Sequence, residues 1–153
     1  MTRRRVQLLA LTGSLGLLIG ALAFEYIGGL APCALCIWQR WPHVVALIGV
    51  GALAVASPVF ALIGAVGAAT SGGIGIYHTG VERGWWDGPA SCSAGGNLSG
   101  LTPEELLAQI LAAPVVRCDE VPWEMLGLSM ASWNAVASFG IAALWLISLR
   151  LRA

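Results

Sequence analysis

Four cysteines are the residues of this chain best suited to chemistry, and they fall into two differently spaced sets. Cys33 and Cys36 form a C-x-x-C pair, whereas Cys92 and Cys118 stand far apart in the sequence. A C-x-x-C spacing suits a disulfide that opens and closes, because a tight ring beside a helix N-terminus stabilises one thiolate. Three disulfide pairings are possible, and adjacency favours Cys33 with Cys36 and Cys92 with Cys118.

Arg40 and two histidines are the other candidates. If Cys36 lies in the first turn of a helix, the helix dipole favours its thiolate, and Arg40 follows one turn later on the same face. A guanidinium at the edge of a bilayer is costly enough to indicate a functional role. Without further information, His43 and His78 are expected to be interface or core residues.

Two other uses of the cysteines remain open at this level. A structural zinc site is one, although its ligands usually come as two close pairs and Cys92 and Cys118 are not close. Purely structural disulfides that clamp outer loops are the other. Such disulfides would gain little from a C-x-x-C followed by Arg40.

The elements that carry these residues are too apolar for a water-soluble domain. The chain has 153 residues, of which 58% are hydrophobic and 10% charged, with a formal net charge of +0 and no lysine. Ordinary domains contain about 25% charged residues. The composition excludes a disordered chain, a nucleic-acid-binding protein with a basic face and an ordinary cytosolic enzyme. We interpret the chain as a single integral membrane domain.

Four stretches are long enough to cross a bilayer, which takes about 20 apolar residues in a helix. Ser57-Pro58 separates the second stretch from the third, because proline disfavours a helical residue before it and lacks the donor that a continuing helix needs. The sequence therefore predicts an all-α, four-helix transmembrane bundle. Its expected spans are about 6–24, 36–56, 59–81 and 126–149.

The charges predict the orientation of these spans. An even number of spans places both termini on one side, and the arginines at both ends make that side cytoplasmic under the positive-inside rule. Loops of about 25–35 and 82–124 then lie on the opposite, outer side of the membrane. All four cysteines lie in or beside these two loops, where an oxidising environment favours disulfides.

A cleaved signal peptide is the alternative to the first span. Ala21-Leu22-Ala23 resembles a cleavage site after a basic start. The preceding apolar stretch is longer than the about 7–15 residues of a signal core, so we expect the segment to be retained.

The long second loop is expected to carry a short surface helix. Thr102 resembles an N-cap, followed by Pro103 in the first turn and acidic residues at the positive end of the dipole. Pro114 would end this helix, which is too short to span a membrane. Its apolar face would consist of Leu106, Leu107, Ile110 and Leu111.

Several segments together resemble one family of bacterial membrane proteins. The run from Cys33 to Arg40 (CALCIWQR), His78-Thr79, Cys92, Cys118-Asp119 and the run 123–134 are similar to the disulfide bond formation protein B family, DsbB. The DsbA–DsbB–quinone system keeps the bacterial periplasm oxidising. The resemblance covers nearly the whole chain and implies a bacterial inner-membrane enzyme.

The resemblance implies an electron relay through both cysteine pairs. A reduced periplasmic thioredoxin-fold protein of the DsbA kind would attack Cys92 and release Cys118, which passes the electrons to the first pair through Cys33. Cys36 would then reduce a membrane quinone, ubiquinone or menaquinone, beside Arg40. His78 would lie near the quinone. Family members commonly carry an acid before the arginine, where this chain has Gln39.

Two rival functions remain for comparison. A vitamin-K-epoxide-reductase-like protein is also a four-span quinone and disulfide enzyme, but it carries its C-x-x-C later in the bundle. A membrane module for binding or assembly, with structural disulfides alone, belongs to a different class. Quinol formation from a reduced partner distinguishes an enzyme from such a module.

Overall fold

The structure, a computed structural model, describes residues 2–55, 57–92, 102–104, 107 and 116–151. Helices dominate it, as the sequence predicts. The helices are α1 (Arg3–Tyr26), α2 (Ala34–Ala46), α3 (Gly51–Ala54), α4 (Pro58–Glu82) and α5 (Met130–Arg150). Three helices in the described part of the chain, α1, α4 and α5, are long and apolar enough to cross a membrane.

The second expected span, 36–56, is not one continuous helix. After α2 the backbone tightens into a 3₁₀ turn, Leu47–Val50, and α3 adds one more turn of α-helix. Pro42 inside α2 removes one helical donor. Gly49 and Gly51 further lower the helix propensity of the segment. A shorter helix with a 3₁₀ extension therefore replaces the expected uniform helix.

Glycines on α4 allow its neighbours to approach closely. A Cβ atom at Gly67 would lie 2.7 Å from the carbonyl oxygen of Pro42 on α2, and one at Gly64 would lie 2.5 Å from the ring of Trp145 on α5. Trp145 is fully buried. Small residues that permit such approaches favour helix packing in membranes, and α4 is accordingly the helix that contacts both α2 and α5 most extensively.

The contacts between helices place the cysteines at one end of the bundle. Cys33 precedes α2 and contacts His78, which lies near the C-terminal end of α4. At the other end, Trp145, near the C-terminus of α5, packs against Gly64 near the start of α4. The first residues of α1 and the last residues of α5 therefore lie away from the cysteines.

A small hairpin precedes α5 and was not expected from the sequence, which predicts a helix from about residue 126. Strands β1 (Glu124–Met125) and β2 (Leu128–Ser129) pair in antiparallel fashion. Leu126 and Gly127 form the turn with φ of 56° and 74°, the left-handed conformation of tight hairpin turns. Leucine is rare there, so the sequence lacks the usual turn signal. The Ser129 side chain then caps α5 by accepting from the Ser132 N–H.

The expected surface helix at Thr102–Pro114 lies largely outside the described residues. Pro103, Glu104 and Leu107 have helical backbone, and the rest of that prediction concerns residues that the structure does not describe.

Candidate functional site

Cys33 and Cys36 meet at the start of α2. Cys33 is the N-cap, and its sulfur accepts a hydrogen bond of 3.1 Å from the Cys36 backbone N–H. The two sulfur atoms lie 2.7 Å apart. The helix start thus brings the C-x-x-C sulfurs into contact, but both cysteines are free thiols, so the structure does not contain the Cys33–Cys36 disulfide that adjacency favours. The contact with Cys36 together with burial raises the pKa of the Cys33 thiol above its ordinary value.

Cys92 and Cys118 form a disulfide. Although both residues belong to the long outer loop, they are buried, with 5% and 0% of their surface exposed. They pack with Cys33, Leu35 and Val81 in one apolar cluster. The disulfide is buried because it packs against the start of α2 and the end of α4. Sequence spacing alone does not predict this contact.

The two pairs adjoin each other. The Cys118 sulfur, the Cys33 sulfur and a ring nitrogen of His78 all lie within 4.8 Å of one another. His78 is itself buried and its Nε2 lies 3.5 Å from the Cys33 sulfur. The structure therefore brings His78, which the sequence alone assigns to the core, into contact with the cysteines.

Arg40 forms an ion pair with Glu25 at the end of α1. Both side chains are about four-fifths buried, with 19% and 21% of their surface exposed. Because an isolated charge in such a place is costly, the pair explains how Arg40 is accommodated one turn after Cys36. In the sequence Glu25 merely marks the end of a span, and its partner could not be inferred.

A cavity of about 360 Å³ lies between α1, α2, the C-terminal end of α4, the start of α5 and the part of the outer loop around residues 116–122. One wall is apolar and comes from α1, with Gly16, Leu17, Gly20, Ala21 and Phe24. The other wall carries sulfur, cationic and imidazole groups from Cys36, Arg40 and His78. An apolar cavity of this size with a few converging polar groups is typical of small-molecule sites.

Gly16 and Gly20 suggest close helix packing by their spacing, but they border this cavity instead. Apart from the adjoining backbone of α1, the described part of the chain places no atom within 4 Å of where a Cβ at Gly16 or Gly20 would lie. Their missing side chains leave space in the cavity.

His78 is held by hydrogen bonds on both ring nitrogens. Its Nδ1 lies 2.9 Å from the side-chain nitrogen of Gln39, which can only donate. The Nε2 of a neutral ring then carries the proton and faces Cys33. His78, Cys33 and Cys118 have donor atoms close enough for a metal, but this proton and the disulfide leave neither the imidazole Nε2 nor the Cys118 sulfur ready to bind one.

Glu82 is a second residue whose surroundings the sequence does not reveal. Its carboxylate accepts a hydrogen bond of 2.5 Å from Ser129 and lies 3.9 Å from His78 Nε2. Ser129 belongs to the unexpected hairpin. The hairpin thus connects the start of α5 to the cysteine end of α4.

Two charged residues that flank Cys118 in the sequence pair with each other on the exposed side of its segment. Arg117 donates to Asp119 with nitrogen–oxygen distances of 2.9 and 2.5 Å. This hydrogen bond lowers the pKa of Asp119 below its ordinary value. Both groups are solvent-exposed, so the pair orients the segment more than it stabilises the fold.

The arrangement defines a helical membrane protein with a thiol–disulfide site at one end of its bundle. The family model described as "Disulfide bond formation protein DsbB" matches residues 3–148. The chain belongs to the DsbB family and is a membrane disulfide bond formation protein with a thiol–disulfide oxidoreductase role.

Three relatives named "Disulfide bond formation protein B" illustrate the similarity. One from Xanthomonas oryzae pv. oryzae (strain MAFF 311018) is 34% identical over 152 residues, which cover 92% of this chain and 86% of the relative. One from Hahella chejuensis is 31% identical, with 95% and 92% coverage. One from Shewanella sp. (strain MR-4) is 30% identical, with 89% and 81% coverage. No solved structure matches the chain significantly.

Proposed function

We propose that this protein is a quinone-dependent thiol oxidase that reoxidises a periplasmic DsbA-like thioredoxin-fold protein. The observation that carries the proposal is the position of Cys118 beside Cys33, with sulfur atoms within 4.8 Å of each other. Electrons from a partner that reacts with one pair thus have a short route to the other pair. Structural clamps in separate loops would need no such proximity.

The exchange steps balance at each sulfur. A partner thiolate attacks Cys92, which forms a mixed disulfide, breaks the Cys92–Cys118 bond and releases Cys118 as a thiolate. The partner's second thiolate then attacks its own sulfur in that mixed disulfide, so the oxidised partner leaves and Cys92 is freed. Two electrons have entered the protein.

The second half of the relay moves these electrons to the membrane edge. Cys118 attacks Cys33 of an oxidised Cys33–Cys36 pair, which forms a Cys33–Cys118 bond and releases the Cys36 thiolate. Cys92 next attacks Cys118, restores the outer disulfide and releases Cys33. Cys33 and Cys36 then hold two electrons and two protons, which are lost when their disulfide forms again.

The cavity beside Cys36 fits a lipid-soluble quinone. A quinone bound there supplies a two-electron, two-proton acceptor, ubiquinone and menaquinone being the candidates. The apolar wall from α1 suits its ring and tail, and Arg40 would favour negative charge both on the Cys36 sulfur and on a nearby oxygen. The Glu25 carboxylate keeps the guanidinium in place. His78 borders the same cavity.

The proposed topology has four spans with both termini in the cytoplasm, so that the cysteine end of the bundle faces the periplasm. The α2–α3 segment provides the fourth crossing. The arginines near both chain termini support this orientation through the positive-inside rule. The protein would then be a single domain of the bacterial inner membrane.

A turnover assay tests the proposal. The purified full chain, a reduced DsbA-like protein and a short-chain quinone should yield quinol and oxidised partner in equal amounts. Cys36→Ser should abolish quinol formation, and Arg40→Ala should reduce it strongly. Undiminished turnover in both variants would contradict the proposal, as would partner oxidation without quinol.

A further inference from the structure

A continuous series of hydrogen bonds, four of them buried and two partly buried, runs from the middle of α1 to the Cys33 sulfur, and we call it the directed chain. It contains six hydrogen bonds. It crosses between α1, α2, α4 and α5. Its members, in order, are Ser14, His43, Ser138, Asn134, Gln39, His78 and Cys33.

One backbone carbonyl fixes the direction of two of these bonds. The Gln39 side-chain nitrogen lies 3.1 Å from the Leu35 carbonyl oxygen, which can only accept. That end of the amide is therefore its NH₂ group, and its second hydrogen points at His78 Nδ1, 2.9 Å away. The Gln39 oxygen faces the other way and accepts from the Asn134 NH₂ group at 2.8 Å.

The orientation of Asn134 has a second, independent support. Ser71 donates its only hydrogen to the backbone carbonyl oxygen of Gln39 at 2.8 Å. Its oxygen must therefore accept from the nearby Asn134 nitrogen, 3.1 Å away. Both Ser71 and Gln39 thus require the same direction of the Asn134 amide.

The remaining bonds follow from this orientation. Ser138 donates to the Asn134 oxygen at 3.3 Å, so the Ser138 oxygen accepts from His43 Nε2 at 3.0 Å. His43 Nδ1 then accepts from Ser14 at 3.3 Å. Every hydrogen bond points toward Cys33, and aligned bonds in a buried network polarise one another in the same sense.

We propose that the directed chain holds His78 with its single proton on Nε2 and makes it a hydrogen-bond donor to the Cys33 sulfur. A proton on Nδ1 would instead face the N–H of Gln39. His78 is then a catalytic residue, because it touches a reacting atom, whereas Gln39 and Asn134 are positioning residues. The role of His78 in turnover rests on the proposed function, whereas the position of its proton does not.

The donor acts when Cys33 becomes a leaving group. As Cys92 attacks Cys118 of a Cys33–Cys118 disulfide, the bond's electron pair goes to Cys33, and the His78 N–H faces the developing charge. A hydrogen bond to a charged sulfur is stronger than one to a disulfide sulfur. Once released, Cys33 takes up a proton that faces the Cys36 sulfur, 2.7 Å away, so the negative charge of the reduced pair stays close to the His78 N–H. The donor therefore stabilises the reduced Cys33–Cys36 pair and makes its disulfide a stronger oxidant.

Histidine-labelled full-length protein tests the proton position directly by nitrogen chemical shifts. The chain has 2 histidines, and the directed chain predicts that both are neutral with the proton on Nε2. A proton on Nδ1 of either ring in the otherwise unaltered protein would overturn the proposal. This measurement needs neither a quinone nor a partner, so it also stands apart from the proposed relay.

A variant tests the consequence for Cys33. In a chain with Cys92→Ser and Cys118→Ser, Gln39→Met keeps the side-chain size but frees His78 Nδ1. We expect a second His78 population protonated on Nδ1. We also expect the equilibrium constant for reduction of the Cys33–Cys36 disulfide by dithiothreitol to fall about tenfold. This corresponds to a reduction potential lower by about 30 mV for a two-electron couple.

Gln7→Met is the matched control for this variant. Gln7 is a buried glutamine on α1 whose side-chain nitrogen has no hydrogen-bond partner in the described part of the chain. The control should leave the proton positions and the equilibrium constant unchanged. An equilibrium constant for Gln39→Met equal to that of the control would overturn the proposal. If Gln39→Met does not fold, the proton positions on the two histidines of the otherwise unaltered protein decide whether the proposal stands.

Discussion

The sulfur atoms of Cys33 and Cys118 lie within 4.8 Å of each other, although they belong to different pairs and different loops. A disulfide bond is about 2 Å long, so a modest displacement of either residue would join them. Cys118 is fully buried and Cys33 nearly so. Exchange between the pairs would therefore proceed in a dry site to which unrelated thiols have little access.

Serine variants of the outer pair should separate the roles of its two sulfurs. Cys92→Ser removes the atom that the partner attacks, so no covalent complex with a reduced DsbA-like protein should form. Cys118→Ser leaves Cys92 without its resolving partner, so the covalent complex should accumulate. Non-reducing electrophoresis measures both outcomes, and a complex that forms only through Cys118 would reverse the assigned roles.

Filling the cavity should weaken quinone use without affecting the outer pair. Gly20 borders the cavity and has open space around a built Cβ, so Gly20→Leu should fold and occupy part of the site. We expect the KM for the quinone to rise about tenfold, which corresponds to about 1.4 kcal/mol of binding. Covalent complex formation through Cys92 should not change.

Gly140→Leu is the control for cavity filling. Gly140 also has open space around a built Cβ, but it lies exposed on α5 and away from the cavity lining. The KM of the Gly140→Leu variant for the quinone should equal that of the unaltered protein. Equal KM values for Gly20→Leu and Gly140→Leu would show that the quinone binds elsewhere.

The two sulfurs of the C-x-x-C should differ in reactivity toward alkylating agents. The contact with Cys36 and burial raise the pKa of Cys33, so at neutral pH Cys33 holds its proton and is a poor nucleophile. Cys36 should be alkylated first in the reduced protein, and Cys33 should stay slow as the pH rises toward 9. Mass spectrometry of alkylated peptides measures the order, and faster labelling of Cys33 would contradict this assignment.

Much of the fold could be predicted because its signals are local. Long apolar stretches predict α1, α4 and α5 within a few residues, and Ser57-Pro58 correctly predicts the start of α4 at Pro58. The hairpin before α5 could not be predicted, because its turn places Leu126 at a positive φ that leucine rarely adopts. The 3₁₀ turn after α2 depends on Pro42 and nearby glycines, whose effect on an apolar helix varies with packing.

The candidate site was predictable in its residue types and not in its contacts. The C-x-x-C spacing indicated that Cys33 and Cys36 meet, as they do. The contact between Cys118 and Cys33 depends on how the outer loop docks on the bundle. Likewise, the ion pair of Glu25 with Arg40 joins residues from two helices, and no periodicity within either helix predicts it.

Gln39 is another residue whose contacts could not be predicted from the sequence. Its place before Arg40 was visible in the sequence, but its hydrogen bonds to His78 and Asn134 require the packing of three helices. A buried amide with all of its bonds satisfied has one orientation, and that orientation determines where the neighbouring imidazole carries its proton. The sequence therefore identified Gln39 as unusual, but its proposed role follows only from its contacts with other helices.

The most direct test of the relay is a chain reduced to one sulfur from each pair. In a Cys36→Ser, Cys92→Ser variant, Cys33 and Cys118 remain, and mild oxidation should join them in an intramolecular disulfide that peptide mass spectrometry detects. In the matched Cys33→Ser, Cys92→Ser variant, Cys36 and Cys118 should stay largely unlinked. Two free thiols in the first variant, or equal linking in both, would contradict electron transfer from Cys118 to Cys33.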